Sequence, residues 1–218
     1  MRCMRCRSLL RPAIVALVVT LVHAVAWAQD KEPAANPREA LLKRLEETSR
    51  KLLNVPRNDG MFLNIVAQTR GAKRALEVGS SNGYSTIWIG AALEQTGGQL
   101  WTIEINAERA KQCRENVVEA GLEKIVTAIH GDAFKVIPDL AGNFDFVFFD
   151  IGGLDEKALP LVLPKLDRGG VILAHDTTLL AKQMQGYLEA IGKHPDFDTV
   201  TLTTPGGFGF AFSVRKQK

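Results

Sequence analysis

Apolar residues follow three different patterns along this chain. Residues 13–26, Ala-Ile-Val-Ala-Leu-Val-Val-Thr-Leu-Val-His-Ala-Val-Ala, run almost unbroken behind Arg2, Arg5, Arg7 and Arg11, and Ala26-Trp27-Ala28 follows. A basic leader, an apolar run shorter than the roughly 20 residues that span a bilayer, and a small-x-small site predict a secretory signal cleaved after Ala28. An uncleaved membrane anchor is the alternative, and membrane contact is expected only in that case. Residues 29–36 then read as a polar linker and 37–218 as one domain.

From Asn36 the period becomes helical. Asn36 as cap, Pro37 at the first helical position and Glu39 as the reciprocal acid predict a helix start. Leu41, Leu42, Leu45, Leu52 and Leu53 carry that helix to about residue 53. Pro56-Arg57-Asn58-Asp59-Gly60 reads as a turn, with a short helix near Met61 to Gln68.

Beyond residue 73 short apolar runs alternate with amphipathic stretches. Strands are predicted near 74–78, 100–105, 125–129, 144–149 and 171–174, and helices near 84–94, 107–120, 133–140, 155–166 and 178–191. Gly121 and Gly192 are read as helix stops. Phe197 to Thr203 and Phe208 to Val214 flank Pro205-Gly206-Gly207 and read as a terminal hairpin. The expected fold class is α/β: a doubly wound, mostly parallel sheet covered on both faces, with a C-terminal antiparallel hairpin.

Composition sharpens this only by exclusion. At 218 residues, 46% hydrophobic and 23% charged, the chain can fill one core and is not disordered. The net charge of +3 belongs to the acid-free leader; without its four arginines 23 basic residues face 24 acidic ones. Nucleic acid as a partner therefore gets no support from charge. Cys3, Cys6 and Cys113 supply neither a disulfide scaffold nor a zinc site.

In an open parallel sheet, ligands bind beyond the carboxyl ends of the strands. Five such ends carry polar or glycine-rich residues: Glu77 to Ser85, Glu104, Gly131-Asp132, Asp150, and His175-Asp176. Ordinary loop polarity explains one of these and explains five at one rim poorly. Gly79-Ser80-Ser81-Asn82-Gly83 lets a ligand approach the backbone and leaves helix N–H groups free to donate. It is neither the Gly-x-Gly-x-x-Gly of a dinucleotide site, which argues against a nicotinamide oxidoreductase, nor a P-loop. Glu104, 25 residues beyond Gly79, suits a two-point grip on ribose hydroxyls. The pair points to a nucleoside ligand.

Glu77-Val-Gly-Ser-Ser-Asn-Gly-Tyr-Ser85, Ile103-Glu104-Ile105-Asn106, and Asn54-Val55 ahead of Gly60 resemble the class I S-adenosylmethionine-dependent O-methyltransferases of the catechol and caffeoyl-CoA type. The resemblance covers roughly residues 40 to 214 and implies a seven-stranded sheet, S-adenosylmethionine as cofactor and a small hydroxylated acceptor. It implies that Asn54, Val55, Glu77, Gly79 and Ser85, with Ser80 and Ser81 of the same turn, bracket the methionine part. Glu104 and Ile105 would hold the ribose end, Gly131, Asp132 and Ala133 would line the adenine, Tyr84 would pack near the sulfonium, and Asp150 would also touch the cofactor. Plainer roles, a core tyrosine for Tyr84 and a helix cap for Ser85, remain open at this point.

A magnesium-like cation would sit on Asp150, Asp176 and Thr177, where Thr177 replaces the family's asparagine; a hydroxyl is a feasible but weaker oxygen ligand. The family's lysine base three residues after the metal acid is Gly153 here. His175 becomes the first candidate to take the acceptor proton, with Asp150 and Lys157 behind it. The plainer reading of His175 is a strand-end residue tied to a neighbour. A catalytically idle exported domain that keeps the nucleoside pocket is the rival function, and a homodimer is left open.

Overall fold

The computed structural model describes residues 36–47 and 53–218. The predicted signal segment, nearly all of the linker and residues 48–52 of the predicted first helix lie outside the described residues. Helix α1 runs Pro37–Glu47 and starts where proline was expected to start it. Leu53 is not helical; its φ of 57° lies in the left-handed region. Helix α2 (Arg57–Arg70) begins four residues earlier than the turn-like composition suggests, with Pro56 at its N-cap position. Pro56 accepts from the N–H groups of Asp59 and Gly60, so the apparent turn is the first turn of the helix.

The alternating unit follows: β1 (Arg74–Val78), α3 (Tyr84–Thr96), β2 (Gln99–Glu104), α4 (Ala107–Glu119), β3 (Val126–His130), α5 (Ala133–Asp139), β4 (Phe144–Phe149), α6 (Ala158–Val162), β5 (Leu166–His175), α7 (Gln185–Lys193), β6 (Phe197–Leu202) and β7 (Phe210–Arg215). One sheet holds all seven strands in the order β3-β2-β1-β4-β5-β7-β6. The first five pair in parallel; β5 with β7 and β7 with β6 pair antiparallel, as the hairpin reading required.

Strand alternation divides the core between the two faces. Ala75, Phe146, Phe148, Val171 and Leu173 pack with α1 to α4 on one side. Leu76, Val78, Val147, Phe149, Ile172 and Ala174 pack with α5 to α7 on the other. Each fully buried leucine or phenylalanine stabilises the fold by roughly 2 kcal/mol, so a strand buried on both faces is held rigidly. That rigidity fixes the positions of the strand-end residues. The order reverses between β1 and β4, which places the crevice expected of a doubly wound sheet between Gly79 and Asp150.

Three further helix expectations need correction. Pro164 has no N–H to continue the helix predicted over 155–166, so α6 stops at Val162, a 3-10 turn covers Leu163–Lys165, and β5 starts at Leu166. Residues 177–184 form successive turns rather than the first half of a helix; α7 starts at Gln185. Gly121 does close α4, with φ of 71°, but Gly192 lies inside α7.

Candidate active site

The turn after β1 is held by its neighbours on both sides. The Gly79 N–H donates to the Ile103 carbonyl at 2.8 Å, and the Asp150 N–H donates to that of Val78 at 2.9 Å. Gly79 has φ of 95°, and a Cβ there would collide with the Asp150 carbonyl oxygen. Only glycine lets β1 and β4 end so close together.

Glu104, at the end of β2, is buried, yet it lines the crevice. Its Oε2 accepts from the Ser81 N–H and its Oε1 from the Asn106 N–H, each at 2.8 Å. Two backbone donors from two loops fix the carboxylate and leave lone pairs on both oxygens for a ligand's hydroxyls. A cavity of about 220 Å³ opens beside it, walled by Ile103, Ile105, Gly131, Asp132, Ala133, Phe134 and Ile151. Asp132 also caps α5, accepting from the Phe134 N–H at 3.0 Å. Ile105 and Phe134 are exposed there, as apolar side chains at the mouth of a flat apolar slot would be.

A second lobe of about 440 Å³ shares Gly79, Glu104, Ile105 and Ile151 with the first and runs to Asp150, His175 and Asp176. Leu53, Ser81, Arg109, Gly152, Leu179, Leu180 and Phe208 complete its wall. Asp150, His175 and Asp176 each bring one ligand atom to within 4.8 Å of the others, the one such group of metal-binding side chains among the described residues. Asp176 sits at φ of 66°, a left-handed conformation that Asp and Asn tolerate better than most residues. Burial, then the charges of Asp150 and Asp59, push its carboxyl pKa up against the pull of His175.

His175 is buried and both its ring nitrogens face carboxylates: Nδ1 lies 3.1 Å from Asp150 Oδ1 and 3.4 Å from Asp176 Oδ1, and Nε2 lies 2.8 Å from Asp59 Oδ2. Burial opposes charge on the ring, but the bonds to Asp150 and Asp59 and the field of Asp176 outweigh it and raise its pKa to about 10. Both ring nitrogens are engaged by carboxylates, the arrangement of a strand-end residue tied to its neighbours. Lys157 is exposed beside Asp155.

Several residues expected at the cofactor do not line the crevice formed by the described residues. Glu77 is fully buried and its carboxylate accepts three hydroxyls: Ser85 at 2.6 Å, Thr86 at 2.5 Å and Thr102 at 2.6 Å. Glu77 and Ser85 thus bind each other beneath the turn instead of reaching for the methionine part. Burial raises the Glu77 pKa to about 7, with the three hydroxyls pulling the other way. Tyr84 is buried, its hydroxyl donating to Glu46 at 2.7 Å and its ring edge-on to Trp88, which matches the plainer core reading. Ser80 and Val55 are buried. Asn54 donates to the Leu45 carbonyl at 3.1 Å, while its Oδ1 has no hydrogen-bond partner among the described residues. Thr177 turns its hydroxyl against Gly209, whose carbonyl accepts the Thr177 N–H at 3.3 Å.

Sequence reading missed Asp59, the second carboxylate on His175, because Pro56 to Gly60 has the composition of a turn. An acid in the first turn of a helix that begins after proline was the signal available.

A switch-point crevice with a glycine turn, a ribose-spaced acid and two oxygen-donor carboxylates beyond the next strands defines a nucleoside-dependent transferase of the methyltransferase class. Comparison with known proteins makes this specific. A family model described as "Methyltransferase domain" matches residues 76–177. Over 169 residues the chain is 31% identical to a catechol O-methyltransferase of Mycobacterium tuberculosis, covering 72% of this chain and 76% of that one. It is 30% identical to a caffeoyl-CoA O-methyltransferase of Populus kitakamiensis, over 75% of this chain and 71% of that one. The O-methyltransferase of Bacillus cereus, solved in complex with SAH, matches with a TM-score of 0.74 and 25% identity, covering 87% and 94% of the two chains. The chain belongs to the S-adenosylmethionine-dependent O-methyltransferases of the catechol and caffeoyl-CoA type, and it is a methyltransferase enzyme. Nothing in these comparisons favours the idle-domain alternative.

Proposed function

We propose that this enzyme methylates one hydroxyl of a small vicinal dihydroxylated aromatic acceptor, with a divalent cation held by Asp150 and Asp176. The observation that carries this reading is the pair of half-buried carboxylates at adjoining strand ends, opening into the same crevice as Glu104. The donor set fits such an ion: two hard oxygen ligands, partly open to the cleft, with His175 and the Asp59 carboxylate packed behind them. Carboxylates gathered at one end of the cleft repel one another when ionised, and a divalent cation between them offsets that repulsion. Such an ion, when bound, would acidify an acceptor hydroxyl and hold it in place.

The chain's own residues supply position. Glu104 would grip the ribose, and Ile105, Ala133 and Phe134 would enclose the base. Leu179, Leu180 and Phe208 give the acceptor end an apolar wall suited to a ring. Transfer breaks the sulfonium–methyl bond, forms a methyl–oxygen bond and releases one proton. This end of the cleft is open, so the proton would leave to water. Holding the two reactants in line supplies most of the rate enhancement.

The test compares catechol, phenol and aniline acceptors of similar size with S-adenosylmethionine and magnesium. The expected result is catechol turnover faster than phenol by about a hundredfold, since one hydroxyl cannot bridge to the ion as two can. Equal rates for phenol and catechol, or preference for the amine, would refute the reading.

A further inference from the structure

Asp59 joins three segments that are distant in sequence. It stands in the first turn of α2, is fully buried, and spends its carboxylate outside its own helix. Oδ2 meets His175 Nε2 at 2.8 Å and accepts from the Phe208 N–H at 3.2 Å, while Oδ1 accepts from the Thr204 hydroxyl. Next to it, Asn58 Nδ2 donates to the Pro205 carbonyl at 2.8 Å. Gly207 lies so close that a Cβ there would strike the Asp59 carboxylate.

An acid that served only its helix would accept from that helix's free N–H groups, as Asp132 does in α5. Asp59 does not. A buried carboxylate costs several kcal/mol unless it is fully partnered, and an apolar side chain would stabilise this spot more simply. What the carboxylate provides is position. His175 is locked in its plane by a bond at each nitrogen, with the Phe210 ring at 4.9 Å and the Phe208 ring at 6.0 Å between centroids. Its Nδ1 in turn meets Asp150, and Phe208 walls the acceptor end of the cleft.

We propose that Asp59 is a positioning residue for methyl transfer: it holds His175 against Asp150 and holds the β6–β7 loop so that Phe208 stays in the cleft wall. The proposal rests on the O-methyl-transfer reading above. It acts at the acceptor end, leaving the Glu104 end untouched. Displacing reacting groups by about 1 Å costs on the order of a hundredfold in rate, so the loss should fall on kcat while cofactor affinity holds.

The experiment uses the full domain as Asp59→Ala and Asp59→Asn beside wild type, with S-adenosylmethionine, magnesium and catechol. Asp59→Ala should lower kcat at least about thirtyfold, change S-adenosylmethionine affinity by calorimetry less than about threefold, and speed amide exchange over residues 203–209 at least about tenfold. Asp59→Asn, which keeps the shape and one acceptor oxygen, should restore part of both kcat and protection. If Asp59→Ala does not fold, Asp59→Asn carries the same readouts. A kcat within about threefold of wild type in the folded variants would overturn the proposal, as would cofactor affinity and kcat falling in parallel, the mark of a structural role alone. A wild-type enzyme idle on every dihydroxylated acceptor would count against the reading above instead. Exchange would then decide: loop protection unchanged in the variants overturns the proposal, and its loss with cofactor affinity intact sustains it.

Discussion

Asp176→Ala is expected to lower single-turnover methyl transfer to catechol by about a thousandfold and to leave S-adenosylmethionine binding close to wild type. Asp150 and Asp176 approach one another at two strand ends, and the pKa of Asp176 is raised by burial and by its acidic neighbours. Removing one carboxylate leaves a cation a single protein anion, too weak a site to orient two hydroxyls. Alanine also tolerates the φ of 66° at this position poorly, at a cost of roughly 1 kcal/mol, so Asp176→Asn is the necessary companion. Asparagine accepts that backbone and offers an oxygen, and it should lose rate by about tenfold to a hundredfold with the fold intact. Chelation should reproduce the alanine loss in wild type, and added magnesium should reverse it there but not in Asp176→Ala. Full activity in chelator would remove the cation from the account.

The second large effect is expected at the opposite end of the crevice. Glu104→Ala should weaken S-adenosylmethionine binding by about a hundredfold, near 3 kcal/mol, read by calorimetry. Two contributions add. The ribose loses two charge-assisted acceptors, and the N–H groups of Ser81 and Asn106 lose the carboxylate that ties the two loops together. Glu104→Gln, similar in shape but with an amide group that must present a donor to one of those N–H groups, should fall between. Affinity unchanged in Glu104→Ala would show that the ribose is held elsewhere.

The architecture was legible because its signals are local. Alternating runs such as Phe144 to Phe149 and the proline-led start at Pro37 specify strand and helix from a few neighbouring residues. Glu104 and the Gly79 turn were legible for the same reason, since each is defined by its place at a strand end. What the chain did not disclose is what a buried polar side chain faces. Glu77 reads as a ligand contact in its motif, yet three hydroxyls from α3 and β2 enclose it. His175 reads as a free base until α2 is folded across it, bringing Asp59 from 116 residues away in sequence. Asp59 itself was hidden by composition: Gly60, which looks like a turn residue, is needed because the Trp88 ring packs onto its α-carbon inside a helix pair. The length of a helix is likewise decided late, as α6 shows, where Pro164, and not Pro160 within the helix, hands the chain to β5.

Whether cofactor, cation and acceptor meet in this one crevice is tested by a crystal structure of the protein with S-adenosylhomocysteine, magnesium and a catechol bound together. The expected result is the ribose hydroxyls on Glu104, the base between Ile105 and Ala133, and an ion on Asp150 and Asp176 with both catechol oxygens facing it. A cofactor seated away from Glu104, or a catechol bound in the cleft with no ion between Asp150 and Asp176, would contradict it.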